Sequence, residues 1–412
     1  MLIKDVSLIH LGQFLKGYDI LIEGNRITKV GRDLKVESSN EVIDGHGKLA
    51  IPGLINSHTH LAMTLFRGYA DDMPLMPWLT EKIWPLEAKL TGEDIRWGVK
   101  LGCLEMIRFG ITCYNDMYFF MDETAAATKE MGLRAFLSQV VFDFRPEFKK
   151  MTEDFIARWK GDDLIHPVVG PHAIYTCSDD TLLWAKETAE KNDTMLHIHL
   201  SETRGEVEES MKKHGKSPVE YLDSLGFLSP RVMAAHCVWL SDGDIALLAK
   251  RGVNVASCPV SNLKLASGIV PLEKLLAEGV NVCIGTDGAS SNNNLDLFEE
   301  MKVEAIVQKN ALCRPDAIKA VEVWQMATEN AYGALGLNLG LCEGALADLA
   351  LINLRRPWFS PETSMISHLV YAMPSCVDTT IADGKVLMQD GVIPGEELIL
   401  EKAQERFESL TA

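Results

Sequence analysis

Residues 49–60, LAIPGLINSHTH, run almost continuously apolar and then break into polar residues that end on His58 and His60. A run of this kind fits a strand buried on both faces, as in a parallel sheet covered by helices. Seven further runs share the form: GITCYNDMY (110–118), LRAFLSQVVFD (133–143), LIHPVVGPHAIY (164–175), MLHIHLSET (195–203), VMAAHCVWL (232–240), VNVASCPVSN (253–262) and VNVCIGTDGAS (280–290). Helical patterns separate them, among them ETAAATKEMG (123–132), SDDTLLWAKETAEKN (178–192) and PLEKLLAEG (271–279). Alternating strand and helix units in this number predict an α/β fold, a (β/α)8 TIM-like barrel over residues 51–344, with its chemistry at the carboxyl ends of the strands.

The flanks read differently. LIEGNRITKVG (21–31) and EVIDGHGKL (41–49) on one side, ALADLALINL (345–354) and TTIADGKVLMQDGVI (379–393) on the other, are short β segments with turn signals. Residues 1–50 and 345–412 are therefore expected to build one small discontinuous β domain.

Acidic residues outnumber basic ones 58 to 40, for a formal charge of -18. Such a surface repels phosphate-rich partners, which argues against nucleic acid. No apolar stretch reaches the roughly 18 residues of a membrane span, and the first residues lack a basic head with an apolar run behind it. A cytoplasmic protein is expected. The nine cysteines, with no Cys-x-x-Cys pair, read as small core residues of a reducing compartment.

His58 and His60 stand two apart on a strand, so both imidazoles face the same way and can project into the barrel mouth. Alone, such a pair is as readily explained by a satisfied core. Three later runs, however, also end in ligand-type residues: His199, His236 and Asp287. Imidazoles and a carboxylate gathered at strand ends suit a divalent metal with room for water, and either zinc or iron(II) fits nitrogen and oxygen donors. Taken singly, Asp287 reads as a helix cap, but the SSNNN that follows it offers better caps.

PGLINSHTHLAMTLFRGYADD, GPHAIYTCS, HIHLSET, AAHCVWL, CPVSNLKLASGIVP and GTDGASSNNNLDLFEEM, in this order, resemble the amidohydrolase superfamily nearly end to end. Within it, the chain resembles the methylthioadenosine / S-adenosylhomocysteine deaminases, a group that includes 5'-deoxyadenosine deaminases. The resemblance implies a distorted barrel with a small β-sandwich from both termini. It implies one metal held by His58, His60, His199 and Asp287, with His236 beside the metal's water. Relatives with two metals carry a carboxylated lysine at the fourth strand end, where this chain has His172. A single ion is therefore expected. A homo-oligomer is also carried over.

Hydrolytic deamination of an adenine needs three proton movements: off the water, onto the ring nitrogen, and onto the departing amine. Asp287 is the expected base, Glu202 the group that protonates the ring, and His236 the one that orients the water. Glu202 by itself reads as a solvated loop carboxylate, as do Glu206, Glu208 and Glu209; its place three residues after His199 sets it apart. His197, on the face of His199 but a layer deeper, reads as a hydrogen-bonded core histidine.

Through the resemblance, Glu87 binds the ribose hydroxyls and His172 contacts the nucleoside; without it, Glu87 is a first-turn helix residue following Pro85. Trp78 and Trp84 flank this segment. Members that accept S-adenosylhomocysteine tend to carry an arginine where this chain aligns Gln139, with Arg145 as a substitute. The expected substrate is a nucleoside: 5'-methylthioadenosine, 5'-deoxyadenosine or adenosine, with S-adenosylhomocysteine left open. A guanine, 8-oxoguanine or s-triazine hydrolase is the competing reading. A non-catalytic scaffold is the remote one, since every ligand position is filled.

Overall fold

The computed structural model describes residues 1–10, 13–35, 41–374 and 376–412. Eight parallel strands pair each with the next: β1 Leu54–Thr59, β2 Ile111–Tyr118, β3 Arg134–Val141, β4 Ile165–Pro171, β5 Leu196–Leu200, β6 Val232–His236, β7 Asn254–Ser257 and β8 Asn281–Ile284. They are buried along nearly their whole length, as strands sandwiched between a barrel interior and a coat of helices must be.

The ring is distorted where it closes. Among the described residues, β8 meets β1 without a ladder; Asn56 instead accepts from Thr286 N at 3.0 Å and donates to its hydroxyl at 2.7 Å. Asp287 N donates to His58 O at 3.0 Å. Gly285 makes this approach feasible, since a Cβ there would lie 2.7 Å from His58 N.

The stretch 49–60 is two strands rather than one. Lys48–Pro52 belongs to a second sheet, pairing antiparallel with Leu349–Asn353, and only Leu54–Thr59 enters the barrel. The break falls where Pro52 has no N–H to donate and where any side chain at Gly53 would collide with Thr112. The second sheet has eight strands drawn from both ends of the chain and a core of its own that includes Ile3, Ile20, Ile27, Leu349 and Ile381. Arg134 of β3, buried beneath the barrel, faces Asp348 and Asp383 at 3.5 Å each and ties the two bodies together.

The C-terminal helix Glu396–Thr411 does not join that sheet. Its Ile399, Ala403 and Leu410 are buried in the barrel's cluster, and it packs on helix Gly92–Arg108. Arg108 grips Glu396 at one end and Lys89 Nζ donates to Leu410 O at the other, 3.1 Å away. The apolar stripe of Glu396–Thr411 is buried against the side chains of Gly92–Arg108.

Candidate active site

The ends of β1, β5, β6 and β8 converge at the barrel mouth. Ser201, His236 and Asp287, at or just past three of these ends, have φ of 51°, 71° and 61°. Left-handed backbone at non-glycine residues costs energy and is kept where surrounding contacts enforce it. Here the turns swing side chains from strand direction into the mouth.

Each imidazole is oriented through its Nδ1. His60 faces Met117 O at 2.6 Å, His199 faces His172 O at 2.9 Å, His236 faces Asn262 Oδ1 at 2.9 Å, and His58 faces His197 Nε2 at 2.8 Å. A carbonyl only accepts, so in His60 and His199 the proton of the neutral ring sits on Nδ1 and the Nε2 lone pair points at the centre. These two Nε2 atoms lie 3.2 Å apart. Two lone pairs at that distance repel unless a cation lies between them.

Asp287 Oδ2 accepts from the hydroxyls of Ser261 at 2.6 Å and Ser291 at 2.8 Å, which leaves Oδ1 facing His60 Nε2 at 3.3 Å and His58 Nε2 at 3.5 Å. His58 Nε2 is buried and has no hydrogen-bond partner. Donors about 2.0–2.1 Å from a tetrahedral ion sit roughly 3.4 Å from one another, and the spacings of 3.2, 3.3 and 3.5 Å match. The residues therefore fit a divalent cation: His58, His60 and His199 form one group that could hold it, and His58, His236 and Asp287 another.

Electrostatics agree with this donor set. Burial pulls His58 down to about 4 and holds His199 well below the ordinary range, so both are neutral lone-pair donors at pH 7. Burial works against the Asp287 carboxylate, but the surrounding imidazoles outweigh it and hold the group well below the carboxylate range. Burial likewise opposes the charged form of His236, yet Glu202 and Asp287 raise it. Burial pushes Glu202 up, toward the proton-carrying form.

A cleft opens over this centre, lined by His60, Glu87, His172, Glu202, His236 and Asp287 and walled by Trp78, Trp84, Tyr118 and Phe142. Every residue expected at the site thus borders one space, save His58, which lies beneath it. Glu202 Oε2 is 3.9 Å from His236 Nε2, and Ser267 Oγ is 3.5 Å from Glu202 Oε1. Across the cleft, Tyr118 donates its hydroxyl to Glu87 Oε1 at 2.7 Å, and burial lifts Glu87 to about 7. Gln139 and Arg145 line an adjoining cavity of about 510 Å³ that shares Trp84, Glu87, Phe119 and Phe142 with the cleft.

Two readings of the sequence need correction. Glu206 is a buried residue, not a solvated one; its oxygens accept from Ser201 N at 2.9 Å and Glu202 N at 2.8 Å. The residues of SSNNN do not cap the next helix, since Asp296 does. Ser291 turns back to Asp287, and Asn292 Nδ2 donates to Thr286 O at 2.7 Å. Proximity to the aspartate was the only signal of this. His197 is buried as expected, and its partner is a residue of the metal centre. Ser261, Asn262 and Tyr118 carried no signal, because their partners lie on other elements, 26 to 31 residues away in the chain.

A barrel with HxH on its first strand, histidines on its fifth and sixth and an aspartate after its eighth defines a metal-dependent hydrolase. Residues 49–387 match the Amidohydrolase family, and the chain belongs to it. It is 65% identical over 410 residues to the 5'-deoxyadenosine deaminase of Methanothrix thermoacetophila, covering 100% of this chain and 99% of the relative. It is 50% identical over 384 residues to the 5-methylthioadenosine/S-adenosylhomocysteine deaminase of Thermococcus sibiricus, covering 90% and 89%. Among solved structures it is similar to an adenosine deaminase from Xanthomonas campestris with bound zinc, with a TM-score of 0.95, 33% identity, and coverage of 100% and 98%. No helix among the described residues is long and apolar enough to cross a membrane.

Proposed function

We propose that the chain is a zinc-dependent hydrolytic deaminase that converts the adenine of adenosine-type nucleosides to hypoxanthine and releases ammonia. The observation that carries this reading is the placement of Glu87 and its Tyr118 donor across one cleft from Glu202 and Asp287. A carboxylate suits a ribose diol; a free base or a triazine has none to offer.

A cation held by His58, His60, His199 and Asp287 supplies Lewis acidity that brings a water's pKa toward roughly 7. The side chains do the rest. Asp287 Oδ1 takes a proton from the attacking water and delivers it to the departing amine. Glu202 gives its proton to the ring nitrogen, which accepts the electron pair as oxygen bonds to C6, and takes one back from the new C6 hydroxyl as the C–N bond to the amine breaks. His236 orients the water and stabilises the negative charge that develops on its oxygen. His172, whose ring lies 4.8 Å from that of His199, borders the nucleoside. The closed balance is nucleoside plus water to the hypoxanthine nucleoside plus ammonia.

We assign 5'-deoxyadenosine, 5'-methylthioadenosine and adenosine as substrates ahead of S-adenosylhomocysteine. The adjoining cavity is walled by Phe119, Phe142, Phe148 and Met151, and its one lining cation among the described residues, Arg145, is bound to Glu147 at 2.5 Å. An uncharged 5' group is at home there, whereas a homocysteine carboxylate has to compete with Glu147. A panel of adenosines differing only at the 5' position, followed by loss of adenine absorbance, tests the assignment. Turnover of guanine or a triazine with none of the adenosines overturns it. We also infer a homo-oligomer, consistent with exposed Phe120, Phe144 and Met151 around the mouth. A cytoplasmic location is consistent with cysteines that are all free among the described residues.

A further inference from the structure

We infer that Glu206 is a positioning residue for the proton donor Glu202, holding the turn that aims it into the cleft. Both oxygens of Glu206 are engaged, one by Ser201 N at 2.9 Å and the other by Glu202 N at 2.8 Å. The two amides converge because Ser201 is left-handed, with φ 51°. Successive N–H groups in such a turn form a concave nest for an acceptor, and here the protein's own carboxyl group fills it.

The helix that carries Glu206 shows how unusual the arrangement is. Helix Arg204–His214 is capped by Thr203, whose side chain accepts from Glu206 N. In a capping box the third helical residue returns the bond to the cap's own amide. Glu206 occupies that third position but reaches past the cap to the two residues before it. The other side of the turn is clamped from β6: Ser201 O accepts from Val238 N at 3.0 Å and Trp239 N at 2.9 Å, and Leu200 O accepts from Cys237 N at 3.0 Å. One buried carboxylate thus stands behind a strained turn joining His199, Glu202 and the loop of His236. Without it, two buried amides lose their acceptor and the left-handed residue loses what enforces it.

This inference rests on the role proposed for Glu202, so the test separates the two. Glu206→Gln keeps the volume and one acceptor, and is the variant least prone to misfold; thermal unfolding and metal content serve as controls. With 5'-deoxyadenosine, kcat is expected to fall about tenfold or more for the loss of one hydrogen bond to a charged group, with KM little changed. In a Glu202→Gln background the same substitution is expected to have no further effect on kcat. Equal losses in both backgrounds, or a rise in KM alone, overturn the inference. Crystal structures of wild type and Glu206→Gln give a readout independent of activity: Glu202 is expected to leave the cleft while His199 stays. An unmoved Glu202 overturns positioning even if the deaminase reading stands. A wild type that deaminates no adenosine, with Glu202 displaced in the variant, overturns only the deaminase reading.

Discussion

His58 Nδ1 lies 2.8 Å from Nε2 of His197, entirely within the barrel interior. The contact makes one imidazole the orienting partner of another, and His197 has no further hydrogen bond through its buried Nδ1. Burial holds His197 well below the ordinary histidine range, so it is a neutral acceptor for the proton of His58. Partners of this kind fix both tautomer and ring angle of a ligand. His197→Phe, which keeps bulk and removes the acceptor, is expected to weaken metal binding by roughly 10–100-fold. Competition with a chelator of known affinity measures it; unchanged affinity reduces His197 to packing.

Glu87 gives a pH dependence with a definite sign. Burial, its largest influence, raises the group to about 7 against the opposing Tyr118 hydrogen bond. The carboxylate that accepts from ribose hydroxyls is therefore present above about pH 7 and lost as pH falls through it. The kcat/KM for ribonucleosides is expected to decline below that pH. A 2',3'-dideoxy analogue, or Glu87→Gln with any substrate, is expected to lack this limb. The same limb in the dideoxy analogue assigns it to another group.

Glu202 and Asp287 are separable by metal content. Glu202→Gln is expected to lower kcat by roughly 10²–10⁴-fold while the protein retains its metal. Asp287→Asn is expected to lose activity on a similar scale and metal as well, because Oδ1 faces the imidazoles of His58 and His60. Metal analysis beside single-turnover kinetics distinguishes them. A Glu202→Gln enzyme near wild-type rate removes Glu202 from proton transfer.

Arg134 bears on stability rather than turnover. Its guanidinium and Asp348 are both buried, 3.5 Å apart, at the junction of barrel and second sheet. Arg134→Met leaves a buried carboxylate without its cation, which costs about 3–5 kcal/mol. Pairing it with Asp348→Asn is expected to restore part of the loss in urea unfolding. Additive losses in the double variant show that the two residues do not interact.

The barrel was legible in the sequence alone, and so was the candidate ligand set. Burial on both faces of a parallel strand forces continuous apolar runs, and strand alternation puts His58 and His60 on one face, so both are visible in a linear pattern. His199, His236 and Asp287 declared themselves by ending such runs. Only the tertiary structure decided what holds these residues in place. The split of 48–59 between two sheets depends on a pairing with Leu349–Asn353 some 300 residues away. The docking of the last helix depends on a surface presented by Gly92–Arg108. Glu206 looked like its solvated neighbours because burial of a carboxylate is a property of its surroundings, here two amides of a left-handed turn. The candidate metal centre was legible because its proposed ligands differ chemically from the core around them. Its supports were not, because serine, asparagine, tyrosine and a second histidine acquire their roles from distance and direction, which no local pattern encodes.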